Sequence, residues 1–260
     1  MFAFPPPIFK SSAGYSGQSL YDRWTLAVYN VLFTFVPVIT FGIFDKDVVQ
    51  STVYRMPRLY SQGQNREVYN YRNFWGWTIN GLFHSFLLFI IPYASMMNTT
   101  IWPRYGWTND LYSFGHTIYT SVLLTVSFKL FLETRYWTWV THFVYWGSLI
   151  LYALWVFIYG LIWWIHVGLG DTYFFLGVVA CMSPTFWLTI LITPVLCLTR
   201  DVCWKFINRS YWPRPLHIAV ELERDPHHWG ITASQKLSQF SPSSSSKWFF
   251  PPSLFVFLFY

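Results

Sequence analysis

Charge is scarce in this sequence. Of its 260 residues only 11% are Asp, Glu, Lys or Arg, against about 25% in ordinary soluble domains, which argues against a water-soluble fold. Cysteine is rarer still. Cys181, Cys197 and Cys203 form no CxxC pair, and an odd count provides no disulfide framework. The three read as thiols facing lipid or core, and no metal site is expected. No GxxxxGK[ST] loop offers a nucleotide site. The opening residues do not read as a signal peptide, because Pro5 to Pro7 interrupt the apolar stretch after Met1 and no clear cleavage site follows.

What is present is apolar and aromatic. Hydrophobic residues make up 54% of the chain and Phe, Trp and Tyr 23%, with a mean hydropathy of +0.33. Aromatic rings of this abundance suit repeated membrane interfaces, where amphipathic rings settle at headgroup depth. A spanning helix needs about 20 mostly apolar residues. Five stretches qualify: Trp24 to Phe44, Phe74 to Met97, Leu111 to Leu132, a fourth inside Tyr136 to Gly170 (about 139–164), and a fifth inside Thr172 to Thr199 (about 173–199). Backbone amides inside lipid must be satisfied within their own segment, so helices are the expected form. The runs are continuous rather than alternating over about 10 residues, which disfavours a β-barrel. The expected fold class is all-α: a polytopic membrane bundle of five helices with a cytoplasmic tail.

The formal net charge of +6 would raise nucleic acid as a partner for a soluble protein. Here the basic residues lie between apolar runs, so no nucleic acid is expected. Lys46, Arg55, Arg58, Arg66, Arg72, Lys129, Arg135, Arg200, Lys205, Arg209 and Arg214 fall on one side of the five runs, and Lys10, Arg23 and Arg104 on the other. Eleven against three puts the first side in the cytoplasm. The N-terminus is then exoplasmic and the C-terminus cytoplasmic. The organisation expected is an atypical N-terminus over 1–13, a membrane domain over 14–224 and a low-complexity tail over 225–260, where Ser243 to Ser246 repeat.

Several segments then become specific. Gly17-Gln18-Ser19-Leu20-Tyr21-Asp22-Arg23-Trp24 leads into Tyr29-Asn30-Val31-Leu32-Phe33-Thr34-Phe35-Val36-Pro37, followed by Gly42-Ile43-Phe44-Asp45-Lys46-Asp47-Val48. The next loop reads PRLYSQGQNREVYNYRNFWGWTINGLFHS, and the segment after the fifth run reads RPLHIAVELER. In order and spacing these resemble the sixth span, the following loop and the post-tenth-span segment of type IV P-type ATPases, the phospholipid flippases. The resemblance covers about residues 13 to 225. Three positions depart from the family pattern: Arg23 stands where a second Asp is usual, Phe35 where Ser is, and Lys46 where Gln is. The first reverses a charge at the exoplasmic interface.

The resemblance implies that the five runs are the sixth to tenth spans of a translocase that moves phospholipid from the exoplasmic to the cytoplasmic leaflet. It also implies ATP and magnesium as cofactors of the full-length enzyme, an accessory membrane subunit as partner, and residence in the plasma membrane, Golgi/endosome or endoplasmic reticulum. The family's DKTG and DGET motifs do not occur in these 260 residues. The chain is therefore expected to be a fragment lacking the ATP-hydrolysing domains, inactive alone, with the N-terminal part of the ATPase as its missing partner. The alternatives are a non-catalytic interaction module or truncated remnant, and, less favoured for want of repeat symmetry, an unrelated channel or carrier.

No catalytic residue is expected. Asn30 and Thr34 are four apart and share a helix face, and Pro37 follows as a helix breaker that frees a backbone carbonyl. The resemblance places this face beside the lipid headgroup path. The competing reading is that both polar side chains bond a neighbouring helix, at about 0.6 kcal/mol each. Asn80 and His84 repeat the spacing on the second run and read as structural hydrogen bonds. Lys129 and Glu133 read as a weak pair or as snorkelling side chains. Asp45 and Asp47 open the first cytoplasmic loop, to which the resemblance assigns coupling between ATPase domains and spans. Two carboxylates are too few for a dedicated cation site. Asn98-Thr99-Thr100 is a glycosylation sequon on the exoplasmic side.

Overall fold

The computed structural model describes residues 9–10, 20–21, 23–56, 59, 70–97, 111–162, 176–211 and 215–224. Among them every regular element is helical. In chain order these are α1 (Arg23–Val28), a π-turn (Tyr29–Thr34), α2 (Phe35–Phe44), α3 (Gln50–Arg55), α4 (Tyr71–Met97), α5 (Leu111–Glu133), α6 (Trp139–Ile162), α7 (Leu176–Cys181), α8 (Pro184–Tyr211) and α9 (Pro215–Arg224). The chain divides into two compact units, one of Met1–Lys46 with Tyr69–Trp204, the other of Asp47–Val68 with Lys205–Tyr260.

In the first unit α5 is the axis. Ser113, Gly115, His116, Thr117, Ile118, Tyr119, Thr120, Ser121, Val122, Leu123 and Thr125 are all buried on it. Three threonine hydroxyls survive in this apolar setting because they bond within their own helix. Thr117 donates to the Ser113 carbonyl (2.9 Å), Thr120 to His116 (2.9 Å) and Thr125 to Ser121 (2.7 Å). This is the usual way for a helical hydroxyl to avoid an unsatisfied burial. Around α5 the core gathers Tyr29 and Phe33 from the π-turn, Leu88 and Phe89 from α4, Tyr152 from α6 and Cys197 from α8.

The other long helices turn apolar side chains outward. Val31, Phe35, Ile43, Phe143, Trp146, Leu191 and Val195 are all exposed, far more apolar surface than a soluble monomer tolerates. Among the described residues four helices are long and apolar enough to cross a membrane: Thr25–Phe44, Asn73–Met96, Trp139–Gly160 and Pro184–Tyr211. The expected count of five is therefore corrected to four by this measure. The run that drops out is Leu111 to Leu132. It forms a helix of 23 residues, but its surroundings are protein, so its residues need not be apolar.

The fifth run is also redrawn. It breaks at Ser183, with α7 before and α8 after. Pro184 opens α8, where its missing N–H costs nothing, and the helix continues to Tyr211, well past the expected end at Thr199. Arg200 and Asp201 thereby sit inside a helix instead of in a following loop.

The second unit pairs α3 with α9. Ile218 and Ala219 of α9 are buried with Met56, flanked by Val48 and Leu59. Glu223 Oε1 accepts the Val49 amide (2.8 Å), an otherwise unpaired N–H at the start of α3. Arg209 Nη2 lies 3.6 Å from Glu221 Oε1, an exposed pair worth little.

Candidate functional site

The first spanning helix is irregular where the sequence placed its polar face. Tyr29–Thr34 winds as a π-turn between α1 and α2, a form concentrated at functional sites. The Thr34 hydroxyl points back along its own helix, donating to the Tyr29 carbonyl (3.1 Å) and approaching that of Asn30 (3.4 Å). Pro37, buried three residues on, has no amide for the Phe33 carbonyl. Two successive departures from α geometry therefore lie within one stretch of span.

The three residues expected along the lipid-path wall differ in exposure. Asn30 is exposed, and among the described residues its carboxamide has no hydrogen-bond partner. Thr34 is half-buried and Pro37 buried. Thr34 and Pro37, but not Asn30, line a mainly apolar cavity of about 230 Å³ that Trp77, Lys129, Glu133 and Tyr145 also border. A free carboxamide on a surface otherwise built of Leu26, Val31 and Phe35 is costly in hydrocarbon unless something polar meets it. It offers two donors and an acceptor, a set suited to phosphate, carboxylate or ammonium groups.

Asp45 belongs to the same helix end. Its Oδ1 accepts the backbone amides of Arg135 and Tyr136, both at 2.9 Å, so it fastens the end of α2 to the α5–α6 connection. Lys46 Nζ lies 5.8 Å from the centre of the Tyr136 ring. Asp47 lies in the second unit. Asn98 lies outside the described residues. No group of three His, Cys, Asp or Glu side chains among the described residues could hold a metal ion.

A second polar centre joins α4, α5 and α8. Asp201 Oδ1 accepts from Asn80 Nδ2 at 3.0 Å and lies 3.5 Å from His84 Nε2, and its Oδ2 lies 3.1 Å from Lys129 Nζ. Arg200 Nη1 donates to Asn80 Oδ1 at 2.6 Å, and its guanidinium carbon sits 4.7 Å from the Phe83 ring centre. Lys129 Nζ is 5.2 Å from the Trp77 ring centre. His84 is fully buried, while Asp201 and Lys129 keep 15% and 21% of their side-chain surface. The Asp201 carboxylate thus answers one cation, an amide and an imidazole across three helices, while Arg200 joins the cluster through Asn80, compensation of the kind a partly buried charge needs.

The sequence of residues 1–214 matches the family described as phospholipid-translocating P-type ATPase C-terminal. The chain belongs to this family. It is 35% identical over 219 residues to phospholipid-transporting ATPase DRS2 of Saccharomyces cerevisiae, covering 81% of this chain and 15% of that protein. It is 32% identical over 212 residues to human phospholipid-transporting ATPase IH, covering 82% of this chain and 18% of the relative. Human phospholipid-transporting ATPase IC matches at 35% over 202 residues, covering 77% and 16%. The chain thus spans less than a fifth of the length of these relatives.

Within this phospholipid-translocating family's membrane region, the sequence had singled out Asn80 and His84, and the structure brings both into one network. It did not anticipate Asp201, because the expected span ended at Thr199. It read Lys129 and Glu133 as snorkelling side chains or a weak pair, whereas Lys129 reaches across to Asp201. The available signal was a lone Asp directly after an apolar run that already held a Lys-bearing and a His-bearing neighbour.

Proposed function

We propose that this chain is the supporting membrane portion of an ATP-driven phospholipid flippase, and that Asn30 on the π-turn contributes to one wall of the headgroup path. The chain then begins on the exoplasmic side and the Asp45 end faces the cytoplasm, in keeping with the eleven-to-three distribution of Lys and Arg. Phospholipid moves toward the cytoplasmic leaflet. ATP and magnesium act at segments bearing DKTG and DGET, which these 260 residues do not contain. An accessory membrane subunit completes the assembly.

The supporting observation is the Asn30 carboxamide, without a partner among the described residues, on an apolar surface and on a turn of weakened helical geometry. A headgroup crossing hydrocarbon needs such polar contacts in place of water. A hydrogen bond to a charged group is worth about 1.5–3 kcal/mol, so losing one should weaken apparent lipid affinity about tenfold or more. The test is a chimera in which residues 14–224 replace the matching segment of the yeast relative, reconstituted in vesicles. Asn30→Ala is expected to raise the lipid concentration needed for half-maximal ATPase stimulation about tenfold and to reduce discrimination between headgroups. Unaltered stimulation and discrimination would refute the assignment.

A further inference from the structure

The π-turn is not held by its own residues alone. Tyr119, on α5, is 1% exposed, and its hydroxyl donates to the Thr25 carbonyl at 3.1 Å. In an α-helix the Thr25 carbonyl would be reserved for the amide four residues on, which is Tyr29, the first residue of the π-turn. A side chain that inserts a donor into this ladder loosens it there and favours a local departure from α geometry.

The rest of α5 supports that grip. Gly115 lies one turn before Tyr119, on the same face. A β-carbon on Gly115 would overlap the backbone oxygen of Leu20, so glycine lets the segment entering α1 lie directly on α5. The Tyr119 ring then meets Tyr21 edge-on (6.1 Å, 70°) and Tyr29 edge-on (5.7 Å, 75°). On its other side it leans on Tyr152 (5.7 Å, 32°), whose hydroxyl is 2.6 Å from Thr120 Oγ1. The ring is thus braced by three aromatic neighbours, and the hydroxyl has a fixed address.

We propose that Tyr119 is a positioning residue: its hydroxyl on the Thr25 carbonyl sets the π-turn and thereby the outward presentation of Asn30 to a phospholipid headgroup. At the far end the Thr34 hydroxyl occupies the Tyr29 carbonyl, so the turn is clamped at entry by another helix and at exit by its own chain. The proposal rests on the reading of Asn30 given above.

Tyr119→Phe deletes only the hydroxyl and keeps the ring. The first measurement uses the 260-residue chain in lipid nanodiscs with a carbonyl isotope label at Thr25. Loss of the hydrogen bond is expected to move the labelled infrared band to higher frequency, and an unmoved band overturns the proposal. The second uses the vesicle-reconstituted chimera. Tyr119→Phe is expected to raise the lipid KM about tenfold with little change in kcat, and the double variant with Asn30→Ala should be no worse than Asn30→Ala alone, as coupled residues are. A moved band with an unaltered lipid KM, while Asn30→Ala does alter it, overturns the positioning role alone. If Asn30→Ala has no effect, the headgroup-path reading falls, and the role of Tyr119 in it falls too.

Discussion

Asp201 carries more than its sequence context suggests. Among the described residues it is the carboxylate paired with Lys129, with Asn80 and His84 on its other oxygen. Removing one partner of a partly buried ion pair leaves the other short of compensation, at a cost below the roughly 3–5 kcal/mol of a fully buried pair. Asp201→Ala is therefore expected to lower the thermal unfolding temperature of the nanodisc-embedded chain sharply. Asp201→Leu combined with Lys129→Met should recover much of the loss, since an apolar replacement of the whole pair is often neutral. A milder effect belongs to Asp45, which binds two loop amides through one oxygen. Asp45→Asn keeps an accepting oxygen, and Asp45→Ala does not, so only the alanine variant should increase hydrogen exchange at Arg135 and Tyr136. At this scale the sequence was legible in residue types but not in partners. Asn80 and His84 stood out as polar groups in an apolar run, yet their common partner lies 121 residues from Asn80, beyond any local spacing rule. Thr34 was read as part of the lipid-path wall, and its hydroxyl proton is donated to its own backbone.

Among the elements, α3 and α9 show how short helices become stable. Each is too brief to persist alone. They are held by Ile218 and Ala219 against Met56 and by Glu223 on the Val49 amide. Glu223→Ala is expected to speed exchange of the Val49 amide about tenfold, the consequence of losing a charge-assisted bond of roughly 1.5 kcal/mol. Ile218→Asp should separate the two helices, seen as rapid exchange throughout Pro215–Arg224. The segment RPLHIAVELER stood out by its resemblance to a family segment, but neither its helix nor its docking partner was read from the sequence. The π-turn was equally hidden. Pro37 signalled a disturbance in the first span, but the departure actually recorded begins at Tyr29 and involves Tyr119 of another helix.

For the whole molecule, the apolar runs foretold a helical membrane bundle because length and hydropathy report the solvent a helix faces. They misjudged α5 for the same reason: hydropathy registers lipid, and α5 meets protein. Sidedness is testable at this scale. Ser51 lies on α3, just past the first span, and is exposed. A cysteine at Ser51, in a background free of other cysteines, should react with a membrane-impermeant maleimide only when the cytoplasmic face is open to the reagent. Labelling from the exoplasmic face would reverse the topology and remove the flippase reading.

The hydroxyl-rich character of α5 bears on how the chain is built. A segment rich in threonine and serine is only weakly recognised by the insertion machinery, which scores each helix largely by its own apolarity. Alone at the translocon, α5 would hesitate at the lateral gate. A more greasy companion, α4 before it or α6 after it, would shield its polar side chains from lipid, so assembly of this membrane domain should proceed by pairs of helices and not one at a time.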